Sequence, residues 1–250
     1  FAGGAPAFRQ IGVLPFLTGQ NWRPLQNEFG IFPMIIGSIY VTAGAIVVGV
    51  PLGIGTAVFL ARFCPAPLYR VLKPAVNLLA GIPSIVYGLT VLVAAVQALL
   101  GTSGKGVLTA SLVLGIMILP TIMRTTEEAL RSIPQSYREA SFGLGAGRLR
   151  TVFVILLPTA LPGILGGVLL SVGRIVGETA ALIYTAGTVA KIAGLTDGGR
   201  TLAVHMYALI GEGLYTDAAY ATAVVLLAVV ILLNALSDLL LGKHKKGDSQ

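Results

Sequence analysis

Arg174 and Glu178 are the residues of this chain whose chemistry fits their surroundings least. They lie four apart in an otherwise apolar stretch from Thr151 to Ala190, and a charge at that depth of a bilayer costs about 2.5–3.5 kcal/mol on insertion scales. A guanidinium is a planar fork of permanent donors suited to an oxyanion. A carboxylate one helical turn away can neutralise it while no anion is bound. On a helix from Ala160 to Gly187, Gly163, Gly167, Ser171, Arg174 and Glu178 share one face, and Gly173 and Gly177 lie beside it. Glycines at this spacing let a second helix approach closely. The pattern predicts an anion-handling pair within a tight helix contact, the alternative being an Arg–Glu pair that only fixes packing.

Other reactive groups are few. Cys64 is the single cysteine, which excludes a disulfide or Cys-rich metal framework within the chain. His205 and His244 have no companions at ligand spacing, so no metal site is expected and each reads as an ordinary loop or tail residue. The apolar stretches hold no Ser/His or paired-Asp set that an intramembrane enzyme needs. A phosphate-cradling loop requires G-x-x-x-x-G-K-[ST]. Gly104-Lys105 is followed by Gly106 and lacks a glycine at Leu99, so ATP is not expected to bind by that loop.

The elements that carry these residues are membrane helices. The chain is 55% hydrophobic and 11% charged, with mean hydropathy +0.88, whereas soluble domains are about a quarter charged. A span needs about 20 apolar helical residues. Five such spans are expected, at Met34–Ala61, Leu78–Leu100, Val107–Met123, Ala160–Gly187 and Ala218–Leu241. Pro51 permits a kink in the first, Gly81 and Pro83 a bend in the second, and Pro158 with Pro162 sets the start of the fourth. The expected class is all-α, a polytopic transmembrane bundle. Residues 1–33 read as an external surface loop, 34–241 as the membrane domain with a polar segment at 124–150, and 242–250 as a basic tail. Within 124–150, Ser136 can cap a short helix at Gln135–Phe142 that Gly143 and Gly145 end. A partial helix is expected at Thr201–Ile210.

The net charge of +7 belongs to loops and predicts membrane topology, with lipid and no nucleic acid as partner. Arg62, Arg70, Lys73, Arg124, Arg131, Arg138, Arg148, Arg150 and the Lys243–Lys246 tail fall on one side. Arg9, Arg23, Lys105, Lys191 and Arg200 fall on the other. The richer side is cytoplasmic by the positive-inside rule, which places the carboxyl terminus inside a cytoplasmic (inner) membrane. An external amino end at Phe1 implies processing or an upstream segment. A preceding span would bring the whole protein to six.

The polar segment reads Glu139-Ala140-Ser141, then Gly145, then Ile155-Leu156-Leu157-Pro158. This resembles the coupling signature of ABC importer permeases, Glu-Ala-Ala, three residues, Gly, nine residues, Ile-x-Leu-Pro, with Ser141 the one departure. A short helix with small residues on one side can lie in a partner's cleft, while Gly145 turns the chain back and Leu157 and Pro158 restart a membrane helix. The resemblance implies docking on a separate ATPase subunit that uses ATP and Mg, with no cofactor in this chain.

A narrower resemblance covers Gly30 to Leu239. Ser171-Val172-Gly173-Arg174-Ile175-Val176-Gly177-Glu178-Thr179-Ala180 is similar to the Arg, Gly-Glu-Thr segment of phosphate importer permeases. Gly81-Ile82-Pro83-Ser84 resembles their second-span motif, where Pro83 and Ser84 are either a helix-start kink or a phosphate contact. Arg124-Thr125-Thr126-Glu127-Glu128-Ala129-Leu130 resembles their approach to the coupling helix. Residues 12–120 resemble the C-type subunit and 124–240 the A-type, with the Gly-Glu-Thr-Ala run and the His205 region favouring A-type. The implied machine pairs this chain with a second related permease, two ATPase subunits and an external phosphate-binding protein. Arg174, Glu178, Ser171, Thr179, Pro83 and Ser84 would line the substrate path. Sulfate, molybdate or phosphonate permeases share the coupling signature without this Gly-Glu-Thr run. An ion-coupled carrier or channel would have no use for a coupling helix.

Overall fold

The computed structural model describes residues 2–89, 98 and 105–247, with side chains of the last helix described to 235. Two short helices, α1 (Ala5–Ile11) and α2 (Val13–Thr18), precede a two-stranded antiparallel ladder, β1 (Trp22–Arg23) with β2 (Glu28–Phe29). Next come α3 (Phe32–Phe63), α4 (Ala66–Gly81), α5 (Ser84–Leu89), α6 (Val107–Arg131) and α7 (Gln135–Gly143). The chain closes with α8 (Arg148–Val176), α9 (Ala180–Thr185), α10 (Leu202–Glu212) and α11 (Thr216–Gly247).

Among the described residues, α3, α6, α8 and the Thr216–Ala235 part of α11 are long and apolar enough to cross a membrane. Helix α6 is the central one, since 67% of its most apolar window is buried against at most 33% in the other three. Small residues bring its neighbours close. Gly37, Val41, Ala45, Gly49, Gly53 and Ala57 recur every fourth residue along α3 and are all buried. A Cβ on Gly49 would lie 2.7 Å from the Gly115 carbonyl oxygen, and one on Gly53 would lie 2.8 Å from Ile122. Helix α8 packs on α6 in the same way. A Cβ on Gly167 would come within 1.9 Å of Thr125 Oγ1, and one on Gly163 within 2.7 Å of Ala129 Cβ.

Three expectations change, and one falls partly outside the described residues. The remainder of the expected second span, 90–97 and 99–100, lies outside the described residues. What is described there is α4, an extended Ile82 and α5, the break expected from Gly81 and Pro83. The fourth span is shifted towards the amino end, from Ala160–Gly187 to Arg148–Val176. Its lower turn is wide, the Leu157 N–H reaching back five residues to the Val152 carbonyl. Pro158 follows immediately, and its missing donor is accommodated there. The span therefore does not begin at Leu157 and Pro158. Residues 1–33 are not a plain loop, because Ala7, Phe16 and Ile31 bury against Leu202, Leu209 and Ala219 of α10 and α11. Finally, α7 starts after Pro134 with no side-chain cap from Ser136.

Candidate functional site

Two groups of predicted residues stand at different parts of α8. At its carboxyl end the helix stops at Val176, and Gly177 to Thr179 are not helical. Glu178 is thus not on the stripe of Gly163, Gly167, Ser171 and Arg174. Its Oε1 accepts the Ala181 N–H at 3.2 Å, which satisfies one of the unpaired donors that open α9. Arg174 is exposed on the last turn of α8. Among the described residues no carboxylate lies within ion-pair distance of it. The expected neutralising pair is absent because the helical spacing that would create it ends two residues too early.

The glycines also divide. Gly163 and Gly167 make the close contact predicted for them, whereas Gly173 has open space where a side chain would stand and Gly177 meets only the Gly173 carbonyl at 3.8 Å. Ser171 is buried and donates to the Gly167 carbonyl at 2.9 Å, so its hydroxyl serves its own helix. Thr179 Oγ1 donates to the Gly177 carbonyl at 3.4 Å. Pro83 is exposed and Ser84 half-buried. Arg174 is close enough to the Tyr87 hydroxyl for its charge to act there, and Tyr87 donates across the α4–α5 break to the Leu79 carbonyl at 2.7 Å. Gly88 packs against Ala181, to which an added Cβ would come within 3.0 Å. The Pro83 break therefore packs, through Gly88 of α5, on α9, the helix that Glu178 opens two residues beyond the end of α8.

At the amino end of α8 lies the segment that resembles the coupling signature. Helix α7 is a surface helix, with Glu139 and Ala140 exposed and Glu139 receiving the Gln135 amide at 2.7 Å. Tyr137, Phe142 and Leu144 are exposed beside them, Leu144 to 90%. Gly145 takes φ +81°, a left-handed conformation that favours glycine. Ser141 is buried, and its hydroxyl lies 2.8 Å from Thr151 Oγ1 in the wide turn of α8. The departure from Ala at this position is thus a hydrogen bond between the short helix and the membrane helix. Ile155 and Leu157 are half-buried, and Leu157 packs against a cluster of Val58, Leu130, Val152 and Leu156. Pro158 is exposed.

Residues 49–246 match the family described as "Binding-protein-dependent transport system inner membrane component". The chain belongs to that family. The chain is 34% identical to "Phosphate transport system permease protein PstC" of Mesorhizobium japonicum, over 96% of this chain and 82% of the relative. It is 39% identical to "Phosphate transport system permease protein PstA" of Mycobacterium leprae, over 65% of this chain and 54% of the relative. The PstC relative thus matches over nearly the whole chain and the PstA relative over its larger part, beside the A-type reading suggested by the His205 region. The fold also matches solved ABC transporters. An inward-facing MetNI methionine transporter chain superposes with TM-score 0.68 at 23% identity, covering 89% of this chain and 99% of that one. A chain of a bacterial alginate transporter gives 0.69 at 15% identity, covering 95% and 85%.

One buried polar residue was not legible from sequence. His205 is fully buried on α10 rather than a loop residue. Its Nδ1 lies 3.1 Å from Arg200, and its ring meets Trp22 edge to face at 4.3 Å. Arg has only donors, so Nδ1 accepts and the proton sits on Nε2, which is buried without a hydrogen-bond partner. Burial first, and then the Arg200 charge, lower the His205 pKa to about 3.

Proposed function

We propose that this chain is the permease subunit of an ATP-driven importer that carries inorganic phosphate across the cytoplasmic membrane. The observation that carries the reading is Arg174. It is a permanent cation on the side of an apolar bundle, exposed and without an acid partner among the described residues. On the last turn of the shifted span it stands near one end of the membrane helix rather than mid-span, where a cation can face a water-filled path and take a counter-charge. A transported phosphate supplies the charge, and a second related permease facing this side of α8 supplies the walls of the path. The name of the Mesorhizobium relative supports phosphate as the anion and a C-type place for this chain.

Energy arrives through the other end. The exposed face of α7 fits a cleft on a separate ATPase subunit, two of which hydrolyse ATP with Mg for the pair of permeases. An external phosphate-binding protein delivers the substrate. Closure of the ATPases moves α7 and switches the Arg174 path between the two sides. In this reading α7 and the carboxyl terminus are cytoplasmic, and the amino-terminal segment with α10 is external.

Purified chain is expected to bring its ATPase subunit with it, and proteoliposomes of the whole complex are expected to take up phosphate on addition of ATP and loaded binding protein. A complex that moves sulfate or molybdate instead would overturn the assignment of the anion. Orientation is checked after Cys64→Ser, where an impermeant thiol reagent on intact spheroplasts labels Gln20→Cys and spares Ser136→Cys. The reverse labelling would overturn the topology.

A further inference from the structure

At the coupling end of the bundle, Glu127 of α6 is buried to 4% exposure, yet it carries the densest polar contacts described. Its Oε1 accepts the Tyr69 hydroxyl at 2.8 Å and pairs with Arg131 at 2.8 Å. Its Oε2 pairs with Lys73. Arg131 also donates to the Tyr69 oxygen at 2.9 Å and lies over that ring. One turn further along, Arg124 donates to Asn77 at 2.9 Å. Tyr69, Lys73 and Asn77 are four apart on α4 and meet positions 131, 127 and 124 in reverse order, so α4 lies antiparallel along the end of α6.

These contacts matter because α4 has little else to hold it. Val76 is its one buried residue, joined to Ala57, Leu60 and Met123. On one side of the clasp, α6 ends at Arg131 and α7 begins four residues later. On the other, α4 runs to the Ile82–Pro83 break, where Tyr87 bonds back to Leu79 and α5 presses on α9 beside Arg174 and Glu178. The clasp is the polar link between the root of the coupling segment and the element that reaches the charged site.

We propose that Glu127 is a positioning residue of the transport cycle. By holding Tyr69 and Lys73 it makes α4 follow the end of α6 when α7 is displaced, and α4 carries that displacement across the Pro83 break to α5 and the surroundings of Arg174. The proposal rests on the importer reading above. It requires two physically connected steps, α7 to α4 and α4 to α5, and coupling through such a path needs direct measurement rather than proximity.

The test cuts α4 free without stranding a charge. Tyr69→Phe with Lys73→Met leaves Glu127 paired with Arg131 on its own helix. In proteoliposomes of the complete complex, assembly and basal ATP hydrolysis are expected to persist, while phosphate moved per ATP falls about tenfold, within the usual range of coupling between sites. Tyr69→Phe with Lys73→Arg keeps a charged donor on Glu127 and is expected to restore the ratio. A merely structural clasp would change assembly and leave the ratio alone. Should the double variant not assemble, Lys73→Gln alone gives the reading through the same ratio. An unchanged ratio in an assembled variant overturns the proposal. A wild-type complex that takes up no phosphate overturns the importer reading instead, and the two failures are told apart by that control.

Discussion

Glu127–Arg131 and Arg174–Glu178 are both acid–base pairs four residues apart in apolar helices, and the structure treats them in opposite ways. Helix α6 continues to Arg131, so the first pair stacks on one face and closes at 2.8 Å. Helix α8 stops at Val176, so the second never forms, and its acid turns to the opening of α9. The i,i+4 rule holds only while the helix does. One pair therefore serves packing. The other leaves the Arg174 guanidinium without an acid partner among the described residues.

The sharpest way to break this comparison is Arg174→Gln. With no acid partner among the described residues to strand, the variant is expected to assemble normally and to lose phosphate uptake, by about a hundredfold or more if the lost charge is worth at least ~2.7 kcal/mol in the transport barrier. Uptake that survives in an assembled complex would place the anion path elsewhere. Adding Glu178→Gln to it is expected to leave uptake absent, since the two groups are not paired.

Glu127→Ala is expected to do the reverse, striking assembly first. It leaves Lys73 and Arg131 facing each other with no anion between them, but both reach solvent, at 27% and 57% exposure, so the cost falls below the roughly 3–5 kcal/mol of breaking a fully buried pair. Thermal aggregation of the solubilised complex checks it. A melting point within about 2 °C of wild type would show that the clasp carries little stability.

His205 adds a pH-dependent term of intermediate size. Its folded pKa is lowered to about 3 from an ordinary value near 6.5. The unfolded ring takes up a proton first as pH falls, so this contribution is fully present above about pH 6.5 and is lost progressively towards pH 3. Each unit of the shift is worth about 1.4 kcal/mol. Proteolysis between β1 and β2 is expected to accelerate between pH 7.5 and pH 5, and His205→Gln to flatten that dependence. A wild-type cleavage rate that does not change with pH would sink this reading.

The smallest effect is expected from Ser141→Ala. It restores the family's Ala and removes one buried hydroxyl contact, worth about 1 kcal/mol, while Thr151 keeps its bond to the Gly147 carbonyl. Coupling is expected to survive, with slightly lower thermal stability of the complex as the readout.

Local punctuation made much of this fold readable. Pro134 and the Gly143–Gly145 turn bracket α7, expected at Gln135–Phe142 and observed at Gln135–Gly143. The start of α10 after Thr201, whose side chain accepts the Val204 N–H, was equally local, and so was the break before Ser84. What escaped depended on distant partners. His205 looked ordinary because Trp22 reaches it from the far end of the chain. Lys73 looked like a loop charge because Glu127 lies on another helix. The early end of α8 carries only a weak signal, Gly177, which a glycine-rich membrane helix could equally have absorbed.

The wide turns near the coupling segment have a consequence for length and rotation. Helix α3 ends in one at Phe59–Phe63 and α8 begins with another at Thr151–Leu156, both packed around Leu130. A turn of this kind holds one residue more than an α-turn. Drawing that residue into or out of the regular spiral turns everything beyond it by about 100° and slides it by about 1.5 Å, with no break in the rod. For α8, everything beyond includes Arg174. A rearrangement of the turn in α8 would thus change which face of the span a guanidinium some twenty residues away presents.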